Sequence, residues 1–164
     1  MGEGEMELGA SPSRQRLPSL RRLLLALLLL GLVVTGTDLI LLEHFEDRWQ
    51  LVPLILIGVG LAVLGAHVIQ RGSSSLRVLR ITMVLYLLAG LTGLVLHHRG
   101  SSEFQLEVNP GLGGFDLFWK TVKAKAPPAL APAAMLHLGL LGLAYGYRHP
   151  VLSGSHRHTA DEGE

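Results

Sequence analysis

Cysteine is absent from the 164-residue chain. That excludes disulfides, thiolate metal sites and cysteine-based catalysis together, and leaves the redox compartment open. Charge is scarce as well: Asp, Glu, Lys and Arg make up 16% of the residues, against about 25% in an average soluble domain. With 49% hydrophobic residues, such a chain cannot clothe a water-facing surface. The net charge of +1 gives no footprint for nucleic acid, because the basic residues flank apolar runs instead of forming one polar face. Also missing are a Walker loop, a GxSxG elbow, an HExxH pair and a dinucleotide fingerprint. Gly111, Gly113 and Gly114 follow a turn in a loop, which is no phosphate-binding context.

What is present is four apolar segments nearly free of charge. A bilayer core of about 30 Å takes roughly 20 residues of helix, since every backbone N–H and C=O must be satisfied internally. Leu23–Leu42 carries one charge, Asp38, and Leu51–Ile69 has Pro53 in its first turn, where the missing N–H costs little. Val78–His97 is flanked by Arg77 and Arg80, whose stems can snorkel. Pro128–Tyr147 ends in Tyr145 and Tyr147, as an aromatic belt would place them. The expected fold is an all-α membrane protein, with four transmembrane helices in an up-down-up-down bundle over residues 20–150. Tails 1–19 and 151–164 are polar and rich in Gly and Ser, and are expected to be disordered. The first segment also fits a secretory signal, with Arg21 and Arg22 before Leu23–Val34 and then Gly36, but Leu39–Leu42 resume the apolar run.

Nine basic residues fall in the two tails and the turn between helices two and three, and five in the remaining loops. The positive-inside rule then puts both termini in the cytoplasm, and the hairpin EHFEDRWQ outside with Trp49 at the interface. The loop 99–126 is too long to be structureless. Phe104, Leu106 and Val108 alternate with polar residues, which predicts a short extended piece before the Asn109-Pro110-Gly111 turn. Phe115, Phe118, Trp119 and Val122 then share one face of a helix over 115–125, with Lys120 and Lys123 on the other, as in an interfacial amphipathic helix.

At 100° per residue, Tyr86, Ala89, Gly90, Gly93 and His97 form the packing face of helix three. Gly31, Thr35, Asp38 and Leu42 share a stripe on helix one, so Asp38 is expected to face protein. His97, Arg48 and Arg99 are its candidate partners, as a structural pair or as a proton or cation site. Glu43, His44, Glu46, Asp47 and His97 share the external side and are a candidate set for a divalent metal. In helix four, Gly139, Gly142 and Gly146 form a packing face with His137 pointing away from it. Bis-histidine haem between His67 and His137 is disfavoured by a depth mismatch of about 10 Å. His156 and His158 lie in the tail without a third ligand.

The stretches DRWQLVP (Asp47–Pro53) and LGLLGLAYGYRHP (Leu138–Pro150) resemble small uncharacterised bacterial four-helix inner-membrane proteins, over about a fifth of the chain. The resemblance implies a multi-pass protein of the bacterial cytoplasmic membrane and transfers no activity. The expected function is a non-enzymatic subunit or accessory factor, homo-oligomeric or in a larger complex, with no cofactor. The alternatives are a transporter or channel component using Asp38 and His97, and a metal-binding or redox subunit.

Overall fold

The computed structural model describes residues 12–43, 48–123 and 130–153. They form six helices and, among the described residues, no strand: α1 (Pro12–Leu41), α2 (Arg48–Gln70), α3 (Ser73–Val108), α4 (Gly114–Val122), α5 (Leu130–Gly146) and α6 (Pro150–Ser153). Three stretches are long and apolar enough to cross a membrane: Leu17–Leu41, Arg48–Gln70 and Ser73–Val108. The 17 residues of α5 are also apolar but rise only about 25 Å.

Several boundaries differ from the sequence expectation, each for a local reason. Helix α1 starts at Pro12, well inside the expected disordered tail. Proline suits a first helical position, and Arg14, Gln15, Arg16 and Leu17 are good helix formers. Helix α2 takes up Arg48, Trp49 and Gln50 from the expected hairpin tip, which moves Pro53 into its second turn. The rest of that tip, residues 44–47, lies outside the described residues.

The largest departure is in α3, which runs without interruption to Val108, so Phe104–Val108 is helix and not an extended piece. Ser102 helps the chain past Gly100, because its Oγ donates to the His98 carbonyl oxygen at 2.8 Å. Nothing forbids helix before Pro110. At 36 residues α3 is about 54 Å long and overruns a bilayer core of about 30 Å. The amphipathic helix is shorter than expected, ending at Val122. Past α5, residues 150–153 form α6 where a disordered tail was expected.

Helix α3 is central, packed on α2, α4 and α5, while α1 lies against α2 and α5. The core is a column of Leu28, Leu32 and Leu39 from α1, Ile57 and Leu64 from α2, Leu79, Met83 and Tyr86 from α3, and Met135 and Leu138 from α5. Around it the outward positions are also large and aliphatic, among them Leu30, Ile55, Ile69, Ile81 and Leu140. In water so continuous an apolar surface would aggregate; against lipid tails it is the expected exterior.

Glycine sets the α3–α5 distance. A methyl group at Gly90 would meet the Pro132 carbonyl oxygen at 2.8 Å, and one at Gly139 would meet the Met83 carbonyl oxygen at 2.8 Å. Gly93 faces the Pro132 ring, Gly142 faces Met83 and Gly146 faces the Arg80 stem, so all five glycines read as the packing faces of these two helices lie at this contact. Gly60 on α2 leaves room for Tyr86, whose hydroxyl donates to the Leu56 carbonyl oxygen at 2.7 Å.

The seam makes a contrast that can be measured. Gly139→Ala should lose about 1–3 kcal/mol of stability, because the added methyl pushes on backbone. Gly58→Ala, on an exposed helical position with nothing within 4 Å, should gain about 0.5–1 kcal/mol. Unfolding of both variants in neutral detergent tests this, and equal effects would count against a glycine-set spacing.

Candidate functional site

The five described carboxylates, Asp38, Glu43, Glu103, Glu107 and Asp116, all belong to one end of the molecule: the end of α1, the end of α3, and α4. The opposite end gathers the start of α1, the α2–α3 turn, the start of α3 and the end of α5. It carries Arg21, Arg22, Arg71, Arg77, Arg80 and Arg148 and, among the described residues, no carboxylate.

At the acidic end, the sequence-identified residues do not assemble. Asp38 is exposed, contrary to expectation, and among the described residues its side chain makes no hydrogen bond or ion pair. The inward face of α1 is instead Leu28, Leu32, Gly36 and Leu39; Asp38 stands one residue, about 100°, before Leu39. Arg48 and Arg99 are exposed, and His97 is half-buried on α3. Of the candidate metal set, His44, Glu46 and Asp47 lie outside the described residues and Glu43 is exposed. Among the described residues no group of three or more His, Asp and Glu side chains is placed to hold a metal.

The end of α3 carries α4. Ser102 and Thr121 bring their hydroxyls to 3.3 Å, and the rings of His98 and Phe118 meet at 5.5 Å between centroids. Phe115, Phe118 and Trp119 remain largely exposed, with Phe115 stacked on Trp119. Lys123 does not lie opposite them as expected. Its ammonium sits 4.7 Å over the Trp119 ring, since four residues along a helix turns back to nearly the same face.

The built site is at the Arg-rich end, around His67 of α2. Tyr145 was expected at the membrane interface, but it is 6% exposed and points inward; Tyr147, 65% exposed, points out. Tyr145 shares the buried face of α5 with Leu138 and Gly142, and its hydroxyl has a partner there: His67 Nε2 at 2.8 Å. His67 Nδ1 lies 3.0 Å from Ser75 Oγ, and Ser75 Oγ donates to the Gly72 carbonyl oxygen at 3.0 Å. With the Ser75 proton on the Gly72 carbonyl oxygen, the neutral tautomer that fits has Tyr145 O–H donating to Nε2 and Nδ1–H donating to Ser75. Both nitrogens of His67 have partners within the protein, and His137 is exposed on α5.

A cavity of about 390 Å³ opens beside this chain, lined by Arg21, Arg22 and Arg71 together with His67, Tyr145 and His149. Leu25, Val68 and Val151 form its apolar wall. His149 lies 6.2 Å from His67 and 5.4 Å from Tyr145 between ring centroids. Arg21 donates to the Arg148 carbonyl oxygen at 3.0 Å, tying the start of α1 to the end of α5. Arg71 and Arg148 both hold left-handed backbone, with φ of 48° and 45°. Each closes a helix where glycine is the cheap choice. Among the described residues no carboxylate lines the cavity with its three guanidiniums, a donor set that favours negative charge over a cation.

No protein-family model, characterised protein or solved structure matches the chain. From sequence alone the site was obscured, because Tyr145 read as belt and the arginines read as topology. The available signal was one histidine within a turn of the basic α2–α3 loop.

His149 is held below its ordinary pKa of 6.5, first by burial and then by Arg21 and His67. The unfolded chain therefore takes up that proton first as pH falls. The stability this neutral imidazole carries is complete above 6.5 and is lost as pH drops below it toward the folded-state value. Between pH 7.5 and 5.5 the unfolding midpoint should fall more in the wild type than in His149→Gln. Parallel profiles would remove His149 as the titrating group.

Proposed function

We propose that the chain is a non-enzymatic, multi-pass membrane protein, a subunit or accessory factor that recognises a negatively charged group at its Arg-rich end. In this reading α1, α2, α3 and α5 are four spans in up-down-up-down order. The Arg-rich end is cytoplasmic, as nine of the 14 basic residues falling on that side suggest. The membrane is the bacterial cytoplasmic one, and the protein works as an oligomer or within a larger assembly. At the opposite end α4 lies along the interface through Phe115, Phe118 and Trp119, with Trp49 at the same level.

One observation carries the reading: three arginines and a closed Tyr145–His67–Ser75 chain converge on a cavity that no described carboxylate neutralises. A proton or cation pathway through Asp38 and His97 gains no such support, since Asp38 is exposed and without a side-chain bond among the described residues.

In neutral detergent, polyvalent anions such as sulfate should raise the unfolding midpoint above that in chloride of equal ionic strength, while calcium and magnesium should not. Stabilisation by the cations alone would reverse the sign of the site. A reporter fused at the C-terminus should read as cytoplasmic; an external signal would invert the sidedness.

A further inference from the structure

We infer that the cavity at the Arg-rich end is a receptor for a phosphate group, bound by the guanidiniums of Arg22 and Arg71 at the level where the apolar spans end. The inference rests on the anion-recognising role proposed above and names the anion.

Four features lead to phosphate. The first is the donor set. Arg21 and Arg22 come from α1 and Arg71 from the α2–α3 turn, so their planar forks reach the cavity from two elements. Guanidinium forks match the spread oxygens of a tetrahedral oxyanion and can engage several at once. A halide would use one donor direction, and a planar carboxylate one fork. The second is size. About 390 Å³ is far more than a bare ion fills and suits a phosphate with a substituent attached.

The third feature is the wall. Leu25 and Val68 line the same cavity from within the apolar stretches of α1 and α2, so an occupant can have a charged head and an apolar remainder. Basic pockets between spanning helices at the membrane surface suit lipid headgroups on these grounds. The fourth is the backbone at Arg71. Its φ of 48° lies in the left-handed region, which an L-residue adopts only at a cost. Gly72, the next residue, would carry that conformation more cheaply one position earlier, yet the cation stands there. A side chain kept at a strained cap and lining a cavity has a use for its position. His67 stays outside the ligand set, since both its nitrogens are engaged; it holds Tyr145 as the floor.

The Arg71→Gly variant separates binding from folding, because it removes the cation and relaxes the backbone together. The full-length protein in neutral detergent is titrated with inorganic phosphate, phosphatidylglycerol, phosphatidylcholine, sulfate and acetate at constant ionic strength, and the midpoint of unfolding is followed. Inorganic phosphate or phosphatidylglycerol should stabilise the wild type at lower concentration than sulfate or acetate. Apparent affinity should fall about tenfold or more in Arg71→Gly and in Arg22→Gln, the loss of one charge-assisted contact. The ligand-free midpoint of Arg71→Gly should equal or exceed that of the wild type.

Which ligand binds identifies the source: phosphatidylglycerol alone means a lipid headgroup, inorganic phosphate alone a soluble phosphate. Sulfate or acetate matching phosphate would overturn the phosphate assignment and leave the anion reading standing. No response to any anion would remove both. Phosphatidylcholine acting as well as phosphatidylglycerol, or binding unchanged in both variants, would place the ligand outside this cavity and defeat the proposal.

Discussion

The close approach of α3 and α5 decides which faces these two helices turn to each other. Backbone meets side chain across Gly90 and Gly139 with no room for a methyl group, so α5 can present only one face to α3. That face continues through Gly142 and Gly146, and Tyr145 follows from it. Once the seam is set, the ring is turned inward to His67 and Tyr147 is turned out. The polar chain at the Arg-rich end is thus a product of apolar packing some turns away. In lipid this is the available way to build, because association there depends on contact distance and not on escape from water.

Inside such a bundle an unsatisfied polar group is expensive, and apart from His98 Nε2 the buried side-chain groups among the described residues find partners. Tyr86 finds the Leu56 carbonyl oxygen, and Thr82 finds that of Val78. His67, Tyr145 and Ser75 form a chain ending on Gly72. The charged groups obey the same rule by a different route. They sit toward the ends of the apolar stretches, and the described ones are sorted by sign: carboxylates at one end, most guanidiniums at the other. Sorting leaves no described carboxylate at the basic end, and that imbalance gives the cavity its character.

Membrane character was legible from composition, because scarcity of charge and long apolar runs are properties of the whole chain. The glycine seam was legible too, since small residues at helical spacing have one physical use. Two kinds of information were not. Helix ends are set by capping and by what the chain can continue into, so α3 passed through Gly100 and Ser101–Ser102 where polarity suggested a loop. The direction of a single polar side chain turns on about 100° of helix phase. Asp38 and Leu39 exchange places on that margin. Tyr145 is ambiguous in the sequence for a related reason: a tyrosine near a helix end suits the interface as well as the interior, and what turns it inward is a buried partner, His67 Nε2, on another helix. The left-handed backbone at Arg71 leaves no trace in sequence, because arginine there departs from the usual choice of glycine.

Helix α3 begins near the arginine cavity, where Ser75 Oγ meets His67 Nδ1, and ends beside α4, where Ser102 meets Thr121. It contains no proline, and its 36 residues form one unbroken rod of about 54 Å. A rod of that length is a lever. A tilt of about 1° at the cavity moves the far end by about 1 Å, and α4 is attached at that end. The basic cavity and the aromatic face of α4 therefore stand at opposite ends of a single helix.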